Sequence, residues 1–180
     1  LEYNVFDNGE IDVAATLQKN KECDIPKFGL NIELPKQFDN IQYYGMGEKE
    51  SYSDMREHAV MGIYSMNIAD LYEHYIKPQD NGNRTEVRWV KITDGNGEGL
   101  KFAGYAMSFN FNASRYSDET LAKTAHDFEL KEADKNIIRI DGFVRGVGSN
   151  SCGPDTRAEF KHTSKAEIRY AFRVKPIVSQ

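Results

Sequence analysis

Apolar and polar residues alternate with a period of two along much of this 180-residue chain. Residues 1–6 alternate up to an Asp-Asn-Gly turn at 7–9, and residues 11–17 alternate again on the return. An Asn-Gly pair between two alternating runs predicts a β-hairpin. Residues 28–35 alternate between two prolines, and residues 40–47 predict a further strand that we expect to break at its glycines.

Residues 48–78 show neither the period of a strand nor that of a helix, apart from a short helix that we expect at 68–72. The segment contains few glycines or prolines, so we interpret it as a long ordered excursion from the sheet. Ordered excursions of this length tend to carry a function or an interface.

The second half of the chain returns to strand patterns. Residues 85–93 predict one strand that places Thr85, Val87 and Trp89 on a common face. Further alternating runs follow, and Ser117 is a suitable N-cap for a short helix that we expect to end near residue 125. The total is eight to ten strands, mostly joined by hairpins, with one or two short helices. This pattern predicts an all-β fold, a sandwich of antiparallel sheets, with no linker that would divide residues 1–180 into two domains.

Composition supports a folded protein and narrows its partners. Hydrophobic residues make up 39% and charged residues 28%, and the 12% of aromatic residues favours β structure. A net charge of −5 argues against binding to nucleic acid, which needs a basic surface. No apolar run approaches the length of a membrane span, so no membrane partner is expected.

The search for general chemical motifs yields little. There is no glycine-rich phosphate loop and no cysteine pair at metal spacing, and only two cysteines, Cys23 and Cys152, are present. Glu48, Glu50 and His58 lie within eleven residues of each other, but a solvated acidic loop explains them better than a metal site does. The residues alone therefore predict no catalytic group and no metal ligand.

Four motifs resemble, in the same order along the chain, those of one enzyme family. They are FGLNIELPKQFDNIQYYGMGEKESYSDM, YIKPQDNGNRTEVRWV, FNFNASRYSDETLAKTAHDFEL and IDGFVRGVGSNSCGPDT. Together they resemble the C-terminal sandwich domain, also called the small chain, of lactose-operon-type β-galactosidases of glycoside hydrolase family 2. The second motif is similar to the family pattern Tyr-x-x-Pro-x-Glu-Asn-Gly-x-Arg-x-Asp-x-Arg-Trp.

The resemblance implies a fold and a place in a larger enzyme. The fold is the supersandwich of galactose mutarotase, and we expect it to be truncated at its N-terminus. The catalytic carboxylates would lie in a separate upstream barrel domain, so this chain alone should be inactive and should bind no cofactor, although whole enzymes of the family commonly use Mg²⁺. The implied partners are the upstream domains, a β-galactoside substrate and further copies in a homo-oligomer, in a bacterial cytoplasm or periplasm.

The loop at residues 146–154 is the candidate substrate contact. In the family a tryptophan of this loop forms an apolar platform under the sugar, and Cys152 occupies that position in this chain. A cysteine cannot reproduce the contacts of an indole ring, so the identity of the natural substrate, a β-galactoside or another β-glycoside, stays open. The expected substrate-binding residues are Asn150, Ser151 and Cys152.

The turn within the second motif is expected to give structural support by bracing the segment 48–78 against the sheet. Asn and Gly at positions 81 and 82 suit a positive φ in a tight turn. Arg84 and Arg88 offer planar guanidinium groups that Asp80 or Glu86 would accept. The full support set is Asp80, Asn81, Gly82, Arg84, Arg88 and Trp89.

Two other functions stay open at this point. One is a carbohydrate-binding or assembly module without a hydrolytic role. The other is a mutarotase-like epimerase, which needs a histidine and a carboxylate on one concave face. Only His74 and His126 would serve as its base, and neither lies in a mutarotase-like motif.

Overall fold

The computed structural model describes residues 1–105, 107–148 and 153–178. It confirms an all-β sandwich with one short α-helix, α1 (Asp118–Lys123). The described residues form eleven strands: β1 (Glu2–Val5), β2 (Ile11–Leu17), β3 (Lys27–Pro35), β4 (Asn40–Gly47), β5 (Val60–Asn67), β6 (Arg84–Val87), β7 (Trp89–Thr93), β8 (Gly99–Gly104), β9 (Phe109–Ser114), β10 (Lys135–Val144) and β11 (Ile168–Ile177). Single 3₁₀ turns occupy Ile68–Leu71, Asp127–Glu129 and Ala158–Phe160.

The strands form two antiparallel sheets. The larger sheet has seven strands in the order β1-β2-β11-β8-β7-β4-β5, and the smaller has four in the order β3-β10-β9-β6. The core lies between them and is built from residues that alternate along each strand. Its fully buried members include Tyr43, Val87, Val90, Ile92, Phe102, Phe111, Ile138 and Ile140.

The first hairpin and the helix cap follow the sequence prediction. In the hairpin, β1 pairs with β2 from Glu2 opposite Ala14 to Val5 opposite Ile11. At the helix, the Ser117 hydroxyl accepts a hydrogen bond from the Thr120 amide at 3.1 Å, and α1 begins at the next residue. The helix ends at residue 123, two residues before the predicted end.

The prediction of one strand over residues 85–93 is wrong. β6 belongs to the four-stranded sheet and β7 to the seven-stranded sheet, and the chain crosses between them at Arg88. Glu86, just before the crossing, has a left-handed φ of 55°. Because the crossing resets the alternation, Val87 and Val90 are both fully buried while Trp89 is partly exposed.

The prediction that residues 48–78 leave the sheet is also partly wrong. β5 lies within this segment and pairs with the whole of β4, from Asn40 opposite Asn67 to Gly47 opposite Val60. β4 therefore continues through its glycines. A Cβ on Gly45 would lie 2.8 Å from Val87 Cγ2, so this glycine permits the close approach of β6 and does not end the strand. β5 is the edge strand of its sheet, which explains its unclear pattern.

Candidate functional site: a polar layer and the base of a loop

The four-stranded sheet carries buried polar side chains on the face turned away from the core. Arg139 lies opposite Asn112 in the register, and Asp141 lies opposite Asn110. Arg139 is only 1% exposed and Asp141 only 4%. Burial raises the pKa of Asp141 to about 6, although the charges of Lys27 and Arg139 oppose the shift. We call this set, Asn112, Arg139 and Asp141 with their covering turn 80–83, the polar layer.

Asp80 of the turn supplies the charge that faces the layer. Its carboxylate lies 2.9 Å from Lys27 Nζ and 3.3 Å from Arg139 Nη1. Asp118, at the start of α1, also contacts Arg139 and lies 3.1 Å from Lys27 Nζ. Asp80 is therefore not the acceptor for Arg84 or Arg88, because its described partners come from β3 and β10. Glu86, the other expected acceptor, forms an ion pair with Arg88.

The two arginines of the support set lie in different surroundings. Arg84 is fully buried, and its Nη1 donates to the Gly82 carbonyl at 2.9 Å, which closes the turn on itself. Arg88 is half exposed, and its Nη2 lies 3.7 Å from the Glu86 carboxylate. On the outer face of the other sheet, the ring of Trp89 lies under the ammonium groups of two lysines, at positions 91 and 101.

The turn is joined to the beginning of segment 48–78 by hydrogen bonds. The Gly82 amide donates to a Glu50 carboxylate oxygen at 2.8 Å. The Ser51 amide donates to the Asn83 carbonyl at 2.7 Å, and the Asn83 side chain returns a bond to the Ser51 carbonyl at 2.8 Å. The Thr85 amide donates to Ser51 Oγ at 3.0 Å. These bonds tie the turn to residues 50 and 51.

The other end of the segment is tied to the turn as well. The Glu73 amide donates to Asn81 Oδ1 at 3.0 Å, and the Tyr75 hydroxyl donates to the Glu50 carboxylate. Burial, followed by the proximity of Glu50, raises the pKa of Tyr75, so the phenol stays a neutral donor. His58 Nε2 contacts the Glu50 carbonyl at 2.8 Å. Glu50 thus organises the segment, and the described residues contain no cluster of three potential metal ligands.

The base of the loop at 146–154 is held at both of its described ends. The Asp54 carboxylate accepts hydrogen bonds from the amides of Val147 and Gly148, at 2.9 and 2.8 Å. The Thr156 hydroxyl donates to the Gly146 carbonyl at 2.7 Å. The predicted substrate contacts Asn150, Ser151 and Cys152 lie outside the described residues.

The two histidines weighed as bases lie on the surface. His74 Nδ1 is 2.8 Å from Asp127 Oδ2, and the His74 side chain is 75% exposed. His126 Nδ1 is 3.2 Å from the Glu129 carboxylate and is also exposed. A histidine and a carboxylate are therefore paired, but on an exposed surface, which does not favour an epimerase.

Sequence reasoning missed Lys27, Asp54 and Arg139, and it considered Glu50 only as a metal ligand. In β10 the polar residues alternate with isoleucines, which is also the pattern of a strand with one solvated face. Nothing in the sequence distinguishes a face covered by water from one covered by a turn more than fifty residues away.

Within the described part of the chain, no helix is both long and apolar enough to cross a membrane.

Comparison with known proteins gives one family. A family model described as the beta galactosidase small chain matches residues 1–174. The chain is 34% identical over 172 residues to a β-galactosidase of Actinobacillus pleuropneumoniae. This alignment covers 94% of this chain and 16% of that protein. It is 33% identical over 177 residues to a β-galactosidase of Streptococcus thermophilus, and the alignment covers 97% of this chain and 17% of that protein.

A β-galactosidase of Staphylococcus xylosus is 31% identical over 174 residues, with 96% of this chain and 17% of that protein covered. The chain therefore spans only about a sixth of the length of the curated relatives it matches.

Proposed function

Because this chain belongs to the beta galactosidase small chain family, we propose that it is the C-terminal sandwich domain of an enzyme that hydrolyses terminal β-galactosides. The observation that carries the proposal is the family match over residues 1–174. Since the chain covers only 16% or 17% of the three relatives, the proposed enzyme contains further domains. Those domains supply the catalytic carboxylate pair and the site for Mg²⁺, and the assembled enzyme is a homo-oligomer.

In this proposal residues 1–180 act as one domain that contributes packing area and part of the rim of the substrate pocket. The rim is formed by Asn150, Ser151 and Cys152, which contact the galactoside. The support for this assignment is the fixed base of their loop, where a single carboxylate, Asp54, accepts two consecutive amides. Substrate contacts require side chains that the scaffold holds in position, and the bonds to Asp54 hold the described base of this loop.

The support set has a second role in the proposal. Asn81 and Gly82 bind both ends of segment 48–78, Asp80 binds Lys27 and Arg139 of the four-stranded sheet, and Arg84 closes the turn. Asp54, which anchors the rim loop, lies in the same segment. The turn therefore supports the rim indirectly, through the segment that it braces, while Arg88 and Trp89 hold the crossing between the sheets.

The activity is tested with the longest natural protein that contains this chain. We expect it to hydrolyse 4-nitrophenyl β-galactoside with retention of the anomeric configuration, as the two-carboxylate mechanism requires. We expect the 180-residue chain alone to show no turnover. A long form that cleaves no β-galactoside, or an isolated chain whose turnover disappears on mutation within it, contradicts the proposal.

The rim assignment is tested by Cys152→Trp in the same long form. An indole at this position adds an apolar platform at the pocket rim. The KM for several β-glycosides should therefore change while the melting temperature stays close to that of the parent. A large fall in melting temperature with unchanged kinetics means that Cys152 is a core residue and that the loop does not line the pocket.

A further inference from the structure

A cavity of about 240 Å³ lies beside the ends of β6 and β10 and the start of β9, apart from the polar layer. It combines two kinds of lining. Three phenylalanines, at positions 109, 143 and 160, form its apolar part. Its polar part includes Ser53, Arg56, Glu86, Ser108, Asn110 and Glu159.

The Glu86 carboxylate is held by one hydrogen bond and can accept more. Ser108 Oγ donates to its Oε2 at 2.8 Å. Arg56 Nη1 lies 3.8 Å from Oε1, and Arg88 Nη2 lies 3.7 Å from Oε2, both too far for a hydrogen bond. The backbone at Glu86 adopts the left-handed φ of 55°, which L-residues rarely occupy and which concentrates at functional sites. A strained backbone therefore presents a carboxylate beside a guanidinium group at the cavity wall.

Ser53 adds a second unsatisfied group. Its Oγ is buried and has no hydrogen-bond partner in the part of the chain that the structure describes. This oxygen has almost no exposed surface and cannot contact a ligand in the cavity unless its side chain rotates, so the ligand class depends on Glu86 and Arg56.

These groups select a class of ligand. A group that bridges Glu86 and Arg56 from the cavity side must donate to the carboxylate and accept from the guanidinium, and a hydroxyl does both. Glu86 and Glu159 in the lining disfavour an anion, while Arg56 disfavours a cation. The phenylalanine rings of the lining offer an apolar surface for C–H groups. The volume is below the range of about 300–1,000 Å³ typical of drug-sized ligands, so a single ring is expected.

We propose that this cavity binds one neutral pyranose ring, and that in the proposed enzyme the ring belongs to a galactoside. The choice of galactose rests on the proposed function, whereas the choice of a hydroxylated ring rests on the cavity. The cavity adjoins the rim loop. The Gly146 amide donates to the Phe160 carbonyl at 3.0 Å, and Ser53 directly precedes the loop anchor Asp54.

The test is a titration of the 180-residue chain with methyl β-galactoside, followed through the backbone amide signals in ¹⁵N spectra. We expect saturable shifts at residues of the cavity with a millimolar Kd. Glu86→Gln removes the charge and one acceptor, and Arg56→Met removes the donor, so each should weaken binding about tenfold. Glu33→Gln is the matched control, because Glu33 is an exposed, ion-paired glutamate on β3, and it should leave the Kd unchanged. Acetate is the anionic probe and should produce no saturable shift at these residues.

Two results overturn the proposal: no saturable binding of the galactoside, or binding that both cavity variants leave unchanged. If the short chain does not fold, crystals of the longest natural protein soaked in methyl β-galactoside decide between an occupied and an empty cavity. The outcome is separable from that of the proposed function. If the cavity binds the galactoside but the long form hydrolyses none, the proposed binding site stands and the proposed enzyme activity is wrong. If the long form hydrolyses galactosides while the cavity stays empty, the activity stands and the binding site is wrong.

Discussion

Strands β9 and β10 of the four-stranded sheet are buried on both faces, and the two faces are covered in different ways. The inner face presents Phe111, Ile138 and Ile140 to the apolar core that it shares with the larger sheet. The outer face presents Arg139 and Asp141 to the turn 80–83 and its neighbours. The same two strands, β9 and β10, thus contribute to an apolar core and to a polar layer through successive residues.

The difference lies in what holds each face together. Apolar burial has no direction, so the inner face depends on volume and close packing. Buried polar groups need partners in a particular geometry, and removing one partner leaves the other unsatisfied. The inner face should therefore respond to lost volume, and the outer face to lost partners and to pH.

The largest effect is expected for Phe111→Ala. Phe111 is fully buried in the shared core, so the change should lower the free energy of unfolding by about 4 kcal/mol in urea denaturation. Phe128→Ala is the matched control, because Phe128 is 85% exposed, and it should change stability by less than about 0.5 kcal/mol. Equal losses at the two positions would mean that the inner face is not the main apolar core.

The next effect concerns the outer face. Arg139→Ala removes the buried partner of Asp80 and Asn112. The change should lower the free energy of unfolding by about 3 kcal/mol. The loss is smaller than for a fully buried ion pair because Asp80 is half exposed. The control is Arg169→Ala, whose side chain is 73% exposed and pairs with Glu167, and it should cost less than about 1 kcal/mol. A small loss for Arg139→Ala would show that the polar layer adds little stability.

Asp141 gives the outer face a dependence on pH. Burial raises the pKa of Asp141 to about 6. The charges of Lys27 and Arg139 lower this pKa, and the charge of Asp80 raises it. A carboxyl with a raised folded pKa contributes stability at low pH, and that contribution is lost as the pH rises from about 4 through 6. Asp141→Asn does not titrate, so between pH 4 and pH 7.5 its stability should rise relative to the parent by about 2–3 kcal/mol.

The measurement is urea unfolding of both proteins across this pH range. A difference between variant and parent that stays constant with pH would mean that the Asp141 carboxyl titrates at its ordinary pKa.

The smallest effect tests the cover of the outer face. Gly82 has a φ of +77°, and a Cβ there would lie 2.5 Å from the Leu71 carbonyl oxygen. Gly82→Ala should therefore cost about 2 kcal/mol by combining backbone strain with a clash. Gly97 has a similar φ of +82° with open space around its Cβ, so Gly97→Ala should cost about 1 kcal/mol from strain alone. Equal costs, measured by thermal unfolding, would show that the turn is not packed closely on its segment.

The sequence prediction was accurate where the determining contacts are local. The first hairpin depends on an Asn-Gly turn, and the start of α1 depends on a side chain three residues from the amide that it caps. The prediction of one strand over residues 85–93 is wrong, because the chain changes sheets at Arg88 and no local pattern marks the change. The rim residues Asn150, Ser151 and Cys152 stay predictions that rest on the family resemblance.

The all-β class, the turns, the helix cap and the family can be read from the sequence, because alternation, turn chemistry and motifs are local features. Which charges meet depends on the fold. Asp80 pairs with Lys27 and Arg139, which are 53 and 59 residues away in the chain, although Arg84 and Arg88 are nearer in sequence. The physical reason is burial: a polar side chain in a strand has the same pattern whether water or a distant turn covers it, and only the fold supplies the cover.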